Sequence, residues 1–511
     1  LKIKLAIGLT ALLLLTSCSE QALSGLPEGA AGAALGTTSG AVEGGGKMLA
    51  ETGKQVADEA PKFENASVHD PSVIKVEDTY YVFGSHLAAA KTTDFMNWTQ
   101  IASGVHDGNP LIPNVTTELA ETLEWAQSNT LWAPDVIQLP DGRFYMYYNA
   151  CKGDSPLSAM GVAVADHVEG PYKDLGIMLK SGMWGQPSED GTVYDATVHP
   201  NVVDPHVFFD KENKLWMVYG SYSGGIYILE MDSKTGFPYP DQGYGKKLLG
   251  ANHSRIEGPY MLYSPETDYY YMFLSYGGLD AIGGYNIRVV RSKAPDGPFE
   301  DAEGHDMTGV GGPAGTFFDD EAIAPYGVKL MGNVQFDYVE GETPGVGTAY
   351  VSPGHNSAYY DKATGKYYLI FHTRFPNRGE SHEVRVHQMF LNEDGWPVVA
   401  PHRYSGETIG AYEAAELVGD YKFVRHGKDI TAEVKASSII HLGADGKVSG
   451  SETGTWRFIG DHGLELKLDG SVFRGGFLRQ WDGGTMQNVI VFSALSEAGE
   501  AAWGSRVGLK E

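Results

Sequence analysis

The sequence predicts an all-β protein: a five-bladed β-propeller followed by a small β-barrel or sandwich. Three observations lead there. A hairpin-like unit recurs five times along the middle of the chain. Helical periodicity is scarce between the copies. After about Tyr412, short alternating strands such as SSIIHLG, GLELKLDGSVFRGGFLRQW and NVIVFSAL are separated by glycine-rich turns.

The N-terminus, LKIKLAIGLTALLLLTSCSE, joins Lys2 and Lys4 to an apolar run from Leu5 to Leu15. That run is short for a membrane span, so residues 1–17 read as an export signal. Leu15-Thr16-Ser17-Cys18 resembles a bacterial lipobox. Cys18 would then be the lipidated first residue of an exported, membrane-anchored protein, facing the cell surface or the periplasm. A plain secretory signal with an incidental cysteine is the alternative. Residues 18–60 are rich in Gly, Ala, Ser and Thr and contain no aromatic cluster able to nucleate a core, which reads as a flexible tether.

The predicted propeller occupies residues 61–410. Its five units begin at His69 (HDPSVIKVEDTYYVFGSH), Ala133 (APDVIQLPDGRFYMYYNA), Val203 (VDPHVFFDKENKLWMVYGSY), Ile256 (IEGPYMLYSPETDYYYMFLSY) and Gly354 (GHNSAYYDKATGKYYLIFHTR). Each has a polar residue beside Pro, Gly or Ser, then a short apolar strand, a turn rich in Gly, Pro, Asn or Asp, and an aromatic-rich second strand. In a propeller the first strand of each blade lines the central axis. The polar residues Asp70, Asp135, Asp204, Glu257 and His355 therefore converge on one patch, and that patch is a predicted site. Residues 411–511 form the predicted second domain.

The bulk numbers restrict the partners. The 511-residue chain carries a formal net charge of −27 and no Lys/Arg cluster, so nucleic acid is not a predicted partner. Its two cysteines, Cys18 and Cys151, allow neither a disulfide framework nor a cysteine zinc site. Cys151 reads as a packed small residue. His382 and His387, five apart on a strand, face opposite sides and are no chelating pair. Arg374 reads as a structural ion-pair partner.

Four motifs in order, HDPSVI, LWAPDVI, NVVDPHVFFD and RIEGPYM, resemble those of glycoside hydrolase family 43, and within it the two-domain bacterial endo-α-1,5-L-arabinanases. DSPLSAMGVAVADHVEGPYKDLG, SPGHNS and DGWPVVAPHRY support the likeness. The resemblance implies a five-bladed propeller that hydrolyses arabinan with inversion. Asp70 would be the general base, Glu257 the general acid, and Asp204 the carboxylate that orients the acid and raises its pKa. Inverting hydrolysis needs one ionised and one protonated carboxyl, about 6.5–9.5 Å apart. The resemblance also implies that His355 coordinates a metal, usually calcium, with waters completing its shell. Asp135 would shape the sugar pocket or hydrogen-bond neighbouring strand entrances. Asn201, Ser221, Tyr222 and Ser223 resemble subsite-lining residues. Trp132 would stack on a sugar face or pack in the core. The working unit would be a monomer. Alternatives are an exo-acting α-L-arabinofuranosidase or β-xylosidase of the same family, and a surface glycan-binding lipoprotein without turnover.

Overall fold

A computed structural model describes residues 60–343 and 348–508; the predicted export signal, Cys18 and nearly all of the predicted tether lie outside them. Four four-stranded antiparallel meanders follow one another along the chain, and a fifth meander is extended to a six-stranded sheet. Their innermost strands are Ser72–Val76, Trp132–Gln138, His206–Phe209, Ile256–Ser264 and Ala349–Asp361, for blades 1 to 5. Each is the first member of one of the predicted repeats.

The aromatic content of the second strands follows from burial on both faces. In blade 2 the strand Phe144–Cys151 is buried over nearly its whole length. Phe144, Met146 and Tyr148 face blade 1, packing with Phe83 and Ala89. Tyr145 and Tyr147 face blade 3, packing with Met217 and Leu229. Period-two alternation thus survives, but both faces are apolar, as a strand between two layers requires. Tyrosine suits this position because its ring fills the layer while its hydroxyl reaches a polar group beyond it. Tyr147 donates to the Gly236 carbonyl at 2.9 Å.

The ring closes without sharing strands between the first and last blades. Instead, the chain ahead of blade 1 bridges them. Glu64 pairs with Asn97 of blade 1, and the Ala66 carbonyl accepts from the Val384 N–H of blade 5 at 3.0 Å. Ala66 and Val68 complete a core with Val73, Val82, Tyr368 and Val386.

The second domain is a barrel. Eight antiparallel strands, from Gly419–Arg425 to Ala501–Arg506, close when the first pairs with the last. Its interior core includes Tyr421, Phe473, Phe477 and Phe492. Between its first two strands the chain returns to the propeller, where Lys435–Ala436 pairs in parallel with Val334–Gln335 at the edge of blade 5. The sequence reading did not anticipate this excursion. It is held by Lys329, whose Nζ donates to the His426 and Asp429 carbonyls at 3.1 and 2.6 Å. From the propeller side, Glu342 reaches the buried Lys422 of the barrel at 3.2 Å, and Asp482 meets the same ammonium at 3.1 Å.

Candidate active site

Asp70, Asp204 and Glu257 stand where innermost strands begin, each just before a proline or a Gly-Pro. Asp70 and Asp204 share the left-handed backbone value φ 57, and His355 lies at φ 41. Residues with a Cβ seldom occupy that region, and when they do the surroundings must hold them there. The turn brings Asp70, Asp204 and His355 to one axial cavity, walled further by His206, Tyr260 and Asn356.

Asp70 is the most heavily supported of the three acids. Ser85 Oγ donates to Oδ2, and His355 Nδ1 lies 3.1 Å from Oδ1. His69 Nδ1 is 2.8 Å from Oδ2, though out of line for a hydrogen bond. Its backbone N–H donates to His372 Nδ1 at 3.1 Å. Burial alone would push this carboxyl up, but His355 and His69 overrule it and hold the group well below the ordinary carboxylate range. Asp70 is therefore ionised.

The other two acids are driven the opposite way. Burial pushes Asp204 up to about 8; His355 opposes this, while the negative charges of Glu257 and Asp70 add to it. Glu257 is also raised, mainly by burial, against the pull of His355 and of two hydroxyls. Those hydroxyls are Ser221 Oγ, donating to Oε2 at 2.7 Å, and Tyr285 OH, donating to Oε1 at 2.8 Å. Asp204 in turn accepts the Gly258 N–H at 3.2 Å, next to Glu257. The Asp204–Glu257 pair titrates as a unit and retains a proton near neutral pH. His355, between the acids, is raised to about 10: burial works against its charge, and Asp70 and Asp204 outweigh burial.

An ionised carboxylate beside a proton-holding pair is the division of charge that acid–base glycoside hydrolysis uses. The comparisons agree. Residues 63–317 match the model of glycosyl hydrolases family 43, and residues 401–504 match a C-terminal lipocalin-like domain. The chain is 65% identical over 446 residues to extracellular endo-α-(1→5)-L-arabinanase 2 of Bacillus subtilis, covering 87% of this chain and 94% of that one. This chain belongs to glycoside hydrolase family 43. The extracellular endo-α-(1→5)-L-arabinanase of Thermotoga petrophila is 54% identical over 469 residues, covering 90% of this chain and 98% of that protein. Among solved structures, a family 43 protein from Bacillus licheniformis superposes with a TM-score of 0.85 at 65% identity, over 88% of this chain and 99% of that one. The Thermotoga petrophila endo-1,5-α-L-arabinanase gives 0.84 at 53% identity, over 88% and 100%.

The remaining predicted residues separate into two groups. Ser221 touches the Glu257 carboxylate directly, and Tyr222 and Ser223 continue its turn with φ of 47 and 36. Asn201 accepts from Ser158 Oγ at 2.6 Å. Trp132 is partly exposed, with its indole N–H donating to the Cys151 carbonyl at 3.3 Å and its ring edge-on to His86. Asp135 needs correcting as a sugar-pocket residue. It follows its proline, whereas Asp70 and Asp204 precede theirs, so Ala133 takes the equivalent place. Asp135 lies deeper, 2% exposed, accepting from Ser72 Oγ and from the Val207 N–H at 2.7 Å. It ties three strand entrances together, the second of the two roles foreseen for it.

Several site residues escaped the sequence reading: His69, His372, Tyr285, Ser85, and Ser275, whose hydroxyl accepts the His355 N–H at 2.7 Å. All but Tyr285 lay inside one of the five repeats, but none at the strand-entrance position the repeats align. His382 was set aside as half of a non-chelating pair; it packs edge-on to His69 at 4.9 Å. His387 sits elsewhere, near the Tyr350 hydroxyl at 3.0 Å. Arg374 does form an ion pair, with Glu380 at 2.6 Å.

A hard cation fits the axial cavity. Asn356 Oδ1 borders it, buried and without a hydrogen-bond partner. Asp70 and Asp204 add carboxylates, and His355 would offer Nε2 once a bound cation displaced the proton that the surrounding acids hold on it. Oxygen donors with one imidazole suit calcium when water fills the rest of its shell.

Proposed function

We propose that this chain is an exported endo-α-1,5-L-arabinanase that cleaves internal bonds of arabinan with inversion. The observation that carries the mechanism is the division of charge: Asp70 held ionised, the Asp204–Glu257 pair holding a proton. Asp70 takes a proton from a water, whose oxygen attacks the anomeric carbon. The glycosidic C–O bond breaks on the opposite face, and Glu257 gives its proton to the departing oxygen. Ser221 and Tyr285 orient the Glu257 carboxyl, and Asp204 shares with it the proton that the pair retains. Endo action and arabinan as substrate are supported by the two curated relatives, whose lengths this chain matches almost completely. Their names also support export. The working unit is one chain, since blades 1, 3, 4 and 5 supply every reacting group.

A calcium ion beside His355 and Asn356 would place positive charge beneath the carboxylates. Lipidation of Cys18 would hold the enzyme at a membrane; the apolar run and lipobox-like residues support it, and metabolic labelling with a fatty acid tests it.

The decisive experiment is product analysis on linear arabinan with NMR of the first product. A ladder of oligosaccharides released as β-anomers is expected. Monomer alone would favour the exo-acting reading, and binding without cleavage the non-catalytic one. Glu257→Gln and Asp70→Asn should each lower kcat by about 10²–10⁴-fold. Full activity in either would remove that residue from its role.

A further inference from the structure

His372 lies on the blade 5 strand Lys366–Arg374, fully buried. Its Nδ1 accepts the backbone N–H of Asp70, a residue distant in the chain and brought near only by ring closure. A ring nitrogen that accepts a hydrogen bond carries no proton, so His372 is neutral, with its hydrogen on Nε2. That Nε2 is buried and has no hydrogen-bond partner among the described residues. The ring is fixed by packing instead. It stacks on His69 at 3.8 Å and 25°, lies nearly parallel to Tyr285 at 6.1 Å, and meets His382 edge-on at 6.0 Å. One side of the imidazole thus holds Asp70, while the ring neighbours the tyrosine that hydrogen-bonds Glu257.

The Asp70 backbone needs such a partner. At φ 57 its amide is turned out of the strand's ladder, whose pairing begins only at Ser72, and the residue is 6% exposed. A buried N–H without an acceptor favours a different backbone conformation. Rotating that backbone would swing the carboxylate away from the water it must deprotonate.

We propose that His372 is a positioning residue for the reaction, acting through one hydrogen bond that holds Asp70 in its left-handed turn. The inference rests on Asp70 being the base. His372 touches no substrate; its effect belongs in kcat and not in KM.

The test compares an acceptor-keeping with an acceptor-free replacement. His372→Asn places a carbonyl oxygen near the Nδ1 position, and His372→Leu removes the acceptor at similar bulk. On linear arabinan, kcat of His372→Leu should fall by about 100-fold with KM within about twofold. His372→Asn should recover at least about tenfold of that loss. Equal kcat in the two variants, or a His372→Leu kcat within about threefold of the parent, would overturn the proposal. Should His372→Leu not fold, His372→Ala assayed with added imidazole replaces it: saturable recovery supports the role and no recovery overturns it. Asp70→Asn separates the two levels. Activity in that variant defeats the assignment of the base, whereas inactive Asp70→Asn beside normal His372 variants defeats this inference alone.

Discussion

Adding one methyl group at Gly354 should disable the enzyme through a tyrosine. A Cβ on Gly354 would lie 2.0 Å from Tyr285 Cδ1 and 2.1 Å from Cε1. Carbon atoms pack at about 3.5–4.0 Å, so the ring must retreat by about 1.5 Å. Gly354 does not have a left-handed φ, so the damage is contact and not backbone strain. Tyr285 is 1% exposed and backed by His372, which leaves the ring little room. Its hydroxyl bonds Glu257 at 2.8 Å, and such bonds weaken beyond about 3.2 Å. The retreat exceeds that slack several times over. Misplacing a catalytic group by about 1 Å lowers rates about 10²-fold, or about 2.7 kcal/mol. Gly354→Ala should therefore reduce kcat on linear arabinan by about that factor while the protein still melts cooperatively, overpacking costing about 1–3 kcal/mol of stability. Tyr285→Phe, which loses the hydrogen bond but keeps the ring, should lose only about tenfold. In a Tyr285→Ala background the added methyl should change the barrier by under about 0.5 kcal/mol, because the obstructing ring is gone. Gly354→Ala with normal kcat, or a methyl equally harmful in both backgrounds, would refute the reasoning.

Lys422→Met should destabilise the protein by about 3–5 kcal/mol in a urea titration, since it leaves the buried Glu342 and Asp482 carboxylates facing one another without their cation. Lys329 offers a pH test. Burial, then the nearby Arg288, lowers it to about 7 from the ordinary 10.5. Between those values the unfolded chain binds a proton the folded one does not, so stability rises with pH by up to about 1.4 kcal/mol per unit. Lys329→Met should flatten that slope, and an unchanged slope would show that the folded amine keeps its proton. Exhaustive chelation should lower kcat and added calcium restore it; an unaltered kcat would remove calcium from the site.

The blades were legible because each hairpin combines a turn signal with aromatic strands, and all of that is local. Asp70, Asp204 and Glu257 were legible because each marks the entrance to an innermost strand. Asp135 was misaligned by two residues, although its place after the proline was visible in the sequence. Apart from His355, the histidines around Asp70 were not legible. His372 matters only once blade 5 meets blade 1, and His382 was judged against its strand neighbour when its partner is His69. Tyr285 lies beyond the second strand of its repeat, where no pattern points inward. The strand Lys435–Ala436 is two residues long, too short to carry a periodicity of its own.

The bridging of blades 1 and 5 has a consequence for when the enzyme becomes active. Asp70 comes from the first blade, while His355 and His372, which hold it, come from the last. Asp70, the proposed base, thus sits on the seam of the ring. A ring opened at that seam would lose the His355 and His372 contacts that hold Asp70. If Asp70 is the base, turnover requires this joint and is lost when the joint opens. Heat inactivation should accordingly follow the parting of these two blades and not the melting of the barrel.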